Sequence, residues 1–109
     1  MEPIAPCIYY LQSSLQKEPR YVGQAIRPKH RLQTHIATSV AKNPSECTYK
    51  ENWIRSVIQA GDEVELVIIE ECERSELNQR EIFWYEQYLP LGKLTNTCPP
   101  GGVEIPGIS

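Results

Sequence analysis

Two short runs open the pattern of the chain, "CIYYL" at residues 7–11 and "RYVGQ" at residues 20–24, separated by the polar stretch "QSSLQKEP". Aromatic and β-branched residues bounded by turn formers predict an antiparallel hairpin, with Pro19 at the entry to its second strand. The period then lengthens. Across "RPKHRLQTHIATSVAK", Leu32, Ile36 and Val40 recur every four residues, which predicts a helix with a narrow apolar stripe and Pro28 in its first turn. "NPSEC" breaks that helix. A second helix is expected over "KENWIRSVIQA", burying Trp53, Ile54, Val57 and Ile58, with Gly61 as the residue after its C-cap. "EVELVIIEE" alternates and then thickens into a strand. A third helix is predicted from Ser75, as N-cap, to Tyr88, with Pro90 beyond its end. From "KLTNTCPPGG" onward Pro and Gly are too dense for regular structure. The resulting order, β-β-α-α-β-α, predicts an α+β fold: a small three-stranded antiparallel sheet flanked by helices.

Length narrows this to one domain. A chain of 109 residues buries about 65% of its unfolded surface, enough for one modest core, expected here over about 6–98 with 99–109 as an irregular tail. No window reaches the ~18 apolar residues of a membrane span. "MEPIAPC" lacks the basic start and apolar run of a signal peptide, so a cytoplasmic location is expected. Cys7, Cys47, Cys72 and Cys98 show no C-x-x-C pair or zinc-type spacing and read as free thiols.

Charge says more by halves than in total. Residues 1–50 carry a net +4 and residues 51–109 a net −7, giving −3 for the whole chain. The basic residues gather around "KEPRYVGQAIRPKHR", which suggests a side that faces a polyanion. Nucleic acid bound there would be held weakly and in a salt-sensitive way.

Two side-chain sets stand out against the pattern. On the third helix Glu81 falls among Leu77, Trp84, Tyr85 and Tyr88, in the middle of the apolar face, while Ile82 and Phe83 fall off it. A carboxylate there carries a desolvation cost that something must offset: an ion pair, with Arg31 as the candidate, or a metal ion. On the first helix Arg27, Arg31 and His35 recur at four-residue intervals beside the apolar stripe, whereas Lys29 and His30 point further round. A guanidinium and an imidazole emerging together suit a phosphate, although an ordinary solvated basic stripe has the same spacing.

In this order the residues resemble the GIY-YIG nuclease domain family, named for two short strand motifs. "CIY" at Cys7, Ile8 and Tyr9 resembles the first with cysteine in place of glycine, and "YVG" at Tyr21, Val22 and Gly23 resembles the second. Arg31 and His35 are similar to the family's Arg followed one turn later by His. "NQREIFWYEQY" resembles its glutamate helix and sets Glu81 at the metal-binding position; "KLTNTCPPGG" resembles the terminal segment, with Asn96 at the asparagine. The chain departs at Gln24, where some members carry lysine, and near Thr48, where a subgroup carries histidine.

The resemblance implies a metal-dependent DNA endonuclease whose catalytic groups are Tyr9, Tyr21, Arg31, His35 and Glu81. It implies a single divalent ion, Mg²⁺ or else Mn²⁺, held by Glu81 and waters. Tyr9 is expected to orient or deprotonate the attacking water, with His35 or water on the metal as the other candidates for the base. Arg31 would neutralise the phosphate, and Tyr21 would hydrogen-bond phosphate or water. Arg27 and Lys29 are read as substrate-binding charges, Asn96 as a tie for the last segment, and Gly23 as the space beside the site. The substrate class is DNA, duplex or branched. The alternative is a catalytically weak nucleic-acid-binding module with the same fold. Family members often join this domain to a separate DNA-reading domain, and 109 residues leave no room for one. Specificity is therefore expected from a homodimer, a partner protein or DNA shape.

Overall fold

The computed structural model describes residues 2–96. The tail, Cys98 and the glycines after it lie outside the described residues. Strand β1 (Cys7–Ser13) is central, pairing antiparallel with β2 (Tyr21–Ala25) on one side and with β3 (Val64–Glu71) on the other, so the sheet order is β2-β1-β3. Helices α1 (Pro28–Ala41), α2 (Tyr49–Gln59) and α3 (Leu77–Tyr88) complete the expected α+β order.

Coverage of both faces explains why β1 is buried at every position but Tyr10. Successive side chains of a strand point to opposite faces. Cys7, Tyr9 and Leu11 join Trp53, Ile54 and Val57 of α2, with Leu32 and Ile36 of α1 packed against them. Ile8 joins Val22 and Leu77, with Tyr10, Trp84, Tyr85 and Tyr88 around them. The register sets Tyr9 opposite Gly23 and Leu11 opposite Tyr21. On the other side, pairing passes from Ile8–Glu70 to Tyr9–Ile68, a bulge that leaves Ile69 extra and lies directly beside Tyr9. Bulges bend a strand locally and re-aim its side chains, and they gather near active sites.

The helices depart from the sequence pattern in three places. Val40 is 50% exposed, and the buried residues of α1 are Pro28, His35 and Ser39, so the inner side of this helix is largely polar. Ile58 is 37% exposed rather than buried, because the apolar face of α2 runs through Trp53, Ile54 and Val57. Ser75 does not cap α3: it lies in a 3-10 turn, Arg74–Glu76, and the N-cap position falls to Glu76 with no side-chain cap bond. The end of α2 is as expected. Gly61 has φ +78°, its N–H donates to the Ile58 carbonyl and the Asp62 N–H to the Val57 carbonyl, a left-handed stop in which glycine carries no Cβ strain.

Cys7, Cys47 and Cys72 are free thiols, and burial pushes the Cys7 thiol up to about 11. Among the described residues no helix is long and apolar enough to cross a membrane.

Candidate active site

Strand β1, opposite the bulge in β3, aims Tyr9 into the sheet face under α1, where its side chain is fully buried. A buried hydroxyl needs a partner, and Tyr9 Oη lies 2.6 Å from His35 Nε2, itself nearly buried on the inner side of α1. With the proton of the imidazole on Nδ1, the hydroxyl donates and Nε2 accepts. Tyr21 closes the group: its ring centroid is 6.4 Å from that of Tyr9 and 5.4 Å from that of His35. Arg31, one turn before His35 and open to solvent, meets the hydroxyls of both tyrosines. Lys50 of α2 stands over the Tyr21 ring, 5.0 Å from its centroid.

Close packing of two rings leaves no room opposite Tyr9, which is why Gly23 stands there. A Cβ at Gly23 would lie 2.6 Å from Tyr9 Oη and 2.9 Å from Tyr21 Cε2, contacts that rigid aromatic rings cannot relieve. Electrostatics follow from burial. The Tyr9 hydroxyl is held well above the usual phenol range, first by desolvation and then by Tyr21, and Arg31 offsets only part of this. His35 is driven down to about 3 by desolvation, with the charges of Lys50 and Arg31 adding to it and Glu51 opposing. At neutral pH the pair is a neutral phenol against a neutral imidazole.

Glu81 arrives from the other face. It is buried on α3 as its helical position requires, and burial raises its carboxyl above the usual range. Among the described residues no cation stands within ion-pair distance of it, so the expected pair with Arg31 is replaced by a neutral donor: Gln24 Nε2 lies 2.6 Å from Glu81 Oε1 and 2.6 Å from Asn78 Oδ1. Arg31 still acts on Glu81 through space, and Glu81 on Tyr9. Four elements, β1, β2, α1 and α3, thus bring Tyr9, Tyr21, Arg31, His35 and Glu81 into one electrostatically coupled group. A magnesium-type ion keeps several waters and takes one or two carboxylates plus substrate phosphate oxygens. A buried carboxylate held by one amide fits that demand, and among the described residues no group of three or more His, Cys, Asp or Glu forms a full protein cage.

The remaining expected residues divide. Arg27 and Arg31 line one shallow groove of about 440 Å³ with Gln24 and His30, so Arg27 lies on the approach to the site. Lys29 faces the neighbouring recess beside Glu2, whose carboxylate accepts from the Lys29 N–H at 2.7 Å and the His30 N–H at 2.9 Å. Asn96 acts on backbone: its Oδ1 accepts from the Val22 N–H at 3.2 Å and its Nδ2 donates to the Val22 carbonyl at 3.0 Å. Sequence reasoning missed Lys50, Glu2 and the role of Gln24. For Gln24 a signal existed, since it follows the second motif on the strand that faces Glu81.

The GIY-YIG catalytic domain model matches residues 5–95, the span that holds every one of these groups except Glu2 and Asn96, and the chain belongs to that family. It is therefore of the nuclease class, hydrolases that act on DNA and in general work with a divalent metal ion. No curated protein and no solved structure matches the chain.

Proposed function

We propose that the chain is a divalent-metal-dependent endonuclease that hydrolyses phosphodiester bonds of duplex or branched DNA, with Tyr9, Tyr21, Arg31, His35 and Glu81 as its catalytic groups. The observation that carries this reading is the buried Tyr9–His35 hydrogen bond of 2.6 Å facing an accessible Arg31, since no packing demand calls for a basic group over the hydroxyls of a buried and a half-buried tyrosine. Glu81 would hold Mg²⁺ or Mn²⁺, and the bound ion would supply Lewis-acid polarisation of the phosphate.

The chain's own residues divide the rest of the reaction. Arg31 supplies a fork of donors to the phosphate oxygens, where negative charge grows in the transition state. Tyr9 orients a water through its oxygen. As the water oxygen bonds to phosphorus and the bond to the leaving sugar oxygen breaks, the water proton passes to Tyr9 Oη and the Tyr9 proton to His35 Nε2. Burial first, and then the charges of Lys50 and Arg31, make His35 resist that proton; an arriving phosphate offsets the two charges and makes the imidazole a better acceptor. Tyr21 holds the phosphate or the water in line, and Gly23 keeps the rings in register.

The deciding experiment is single-turnover cleavage of duplex, branched and single-stranded DNA in Mg²⁺, Mn²⁺ and EDTA, by the parent and by Glu81→Gln. Cleavage of duplex or branched DNA that needs the divalent ion is expected from the parent. None is expected from Glu81→Gln, with its fold intact, because removing a desolvated charge relieves a cost. Equal cleavage in EDTA, or by the variant, overturns the metal role; a parent that binds DNA and never cuts it is the binding module instead.

A further inference from the structure

Lys50 enters the roles above only through its charge on His35, and its surroundings do not explain that charge. It is half-buried near the start of α2, with its ammonium 5.0 Å from the Tyr21 ring centroid. Glu51, next in the chain, is committed elsewhere: its carboxylate takes Lys42 at 3.0 Å and the Thr48 N–H at 2.9 Å. Among the described residues no carboxylate stands within ion-pair distance of Lys50. Burial depresses its pKa, Glu51 opposes this, and Arg31 and Lys42 add to the depression. Two cations from two helices therefore converge on Tyr21, Arg31 at the hydroxyl and Lys50 at the ring face.

Like charges in a half-dry place repel more strongly than in water. An apolar stem would pack against the same ring without that repulsion. An anion between the two would remove it for both, and the open side of the cluster is the side on which Arg31 meets solvent.

We propose that Lys50 is a substrate-binding residue, its ammonium holding a non-bridging oxygen of the same phosphodiester that Arg31 grips. This rests on reading the cluster as a phosphodiesterase site. The division of labour follows from the two side chains: the guanidinium fork fixes orientation, and the ammonium, a point charge on a flexible stem, adds charge without imposing an angle.

Lys50→Met keeps the stem and removes the charge; Lys50→Arg keeps the charge. Three measurements on these and the parent decide the matter: single-turnover cleavage of a DNA duplex in Mg²⁺, binding of that duplex in EDTA over a salt series, and Tm with and without inorganic phosphate. For Lys50→Met we expect a rate lower by about 10²-fold and a salt slope smaller by about one unit. Its phosphate-induced rise in Tm should shrink, while its Tm without phosphate stays equal to or above the parent's. Lys50→Arg should recover most of the rate. A Lys50→Met protein that cleaves and binds like the parent overturns the assignment, as does one whose deficits follow a lowered Tm. Should the parent cleave no DNA, the nuclease reading falls separately and the two binding measurements still decide. A smaller salt slope and a weaker phosphate effect then support Lys50 as an anion ligand, and unchanged values reject it.

Discussion

Helices α1 and α2 cover the same face of the sheet, but α2 closes both of its ends with its own residues while α1 borrows at each end. At the start of α2 the Thr48 side chain accepts from the Glu51 N–H and the Glu51 carboxylate accepts from the Thr48 N–H; at its end Gly61 and Asp62 fold back on Ile58 and Val57. The N-cap residue of α1 is Arg27, which makes no side-chain cap bond, and its first N–H groups are served by Glu2. The last carbonyls of α1 are served by Arg55 of α2, whose Nη1 reaches Ser39 O at 3.1 Å and Lys42 O at 3.2 Å. The inner faces differ in the same sense, Trp53, Ile54 and Val57 against His35 and Ser39. A helix whose inner side carries His35 and Ser39 forgoes the apolar face and caps that would hold it, and neighbours supply them. Violations of local rules concentrated where function lies are the expected pattern.

The widest split between the two helices should come from Trp53→Ala, which empties the main side chain under α2. Denaturant unfolding should show a loss of about 3–5 kcal/mol, with cleavage falling only as the folded fraction falls. Arg31→Ala should do the reverse. A single-turnover rate lower by about 10²–10³-fold, with Tm unchanged and DNA binding only mildly weaker, would mark α1 as the functional helix; equal losses in binding and rate would make Arg31 a docking residue.

Acid should sharpen the contrast next. His35 is held at about 3 in the folded protein, below its unfolded value of about 6.5. The unfolded chain therefore takes up the proton first. Stability contributed by neutral His35 is complete above pH 6.5 and is lost as pH falls toward 3, at about 1.4 kcal/mol per pH unit. Unfolding free energies between pH 7 and 4.5 should show this slope in the parent and a flatter one in His35→Gln. The smallest effect belongs to Thr48→Ala, which removes the cap of α2 and should cost about 1 kcal/mol of stability with no change in rate per folded molecule.

The same contrast governs how much could be read from the sequence. The hairpin, the three helices, the third strand and Gly61 follow from local patterns, and local physics builds them. The "TYKE" spacing at Thr48–Glu51 is also a legible capping box, two residues ahead of the start that the apolar run marks. Glu81 was legible because a carboxylate on an apolar face conflicts with its neighbours. Val40, Ile58 and Ser75 misled because face width and cap choice are settled by tertiary packing, and the polar inner side of α1 has no periodic signature. Lys50 could not be reached from the pattern, since its importance lies in what other elements place beside it.

Asn96 and Thr95 have a consequence for the edge of the sheet. Among the described residues strand β2 is an edge of the sheet, and an uncovered edge of backbone donors and acceptors recruits strands from other molecules. The Asn96 amide fills both backbone groups of Val22, as a neighbouring peptide unit would, and the Thr95 N–H and hydroxyl both reach the Arg20 carbonyl. The opposite edge, β3, carries Glu65, Glu70 and Glu71, whose charges discourage pairing. "YVGQA" has no such charges. Loss of the 95–96 clasp would leave this edge open to pairing with another strand, so two residues beside Tyr21 guard the edge as a neighbouring strand would.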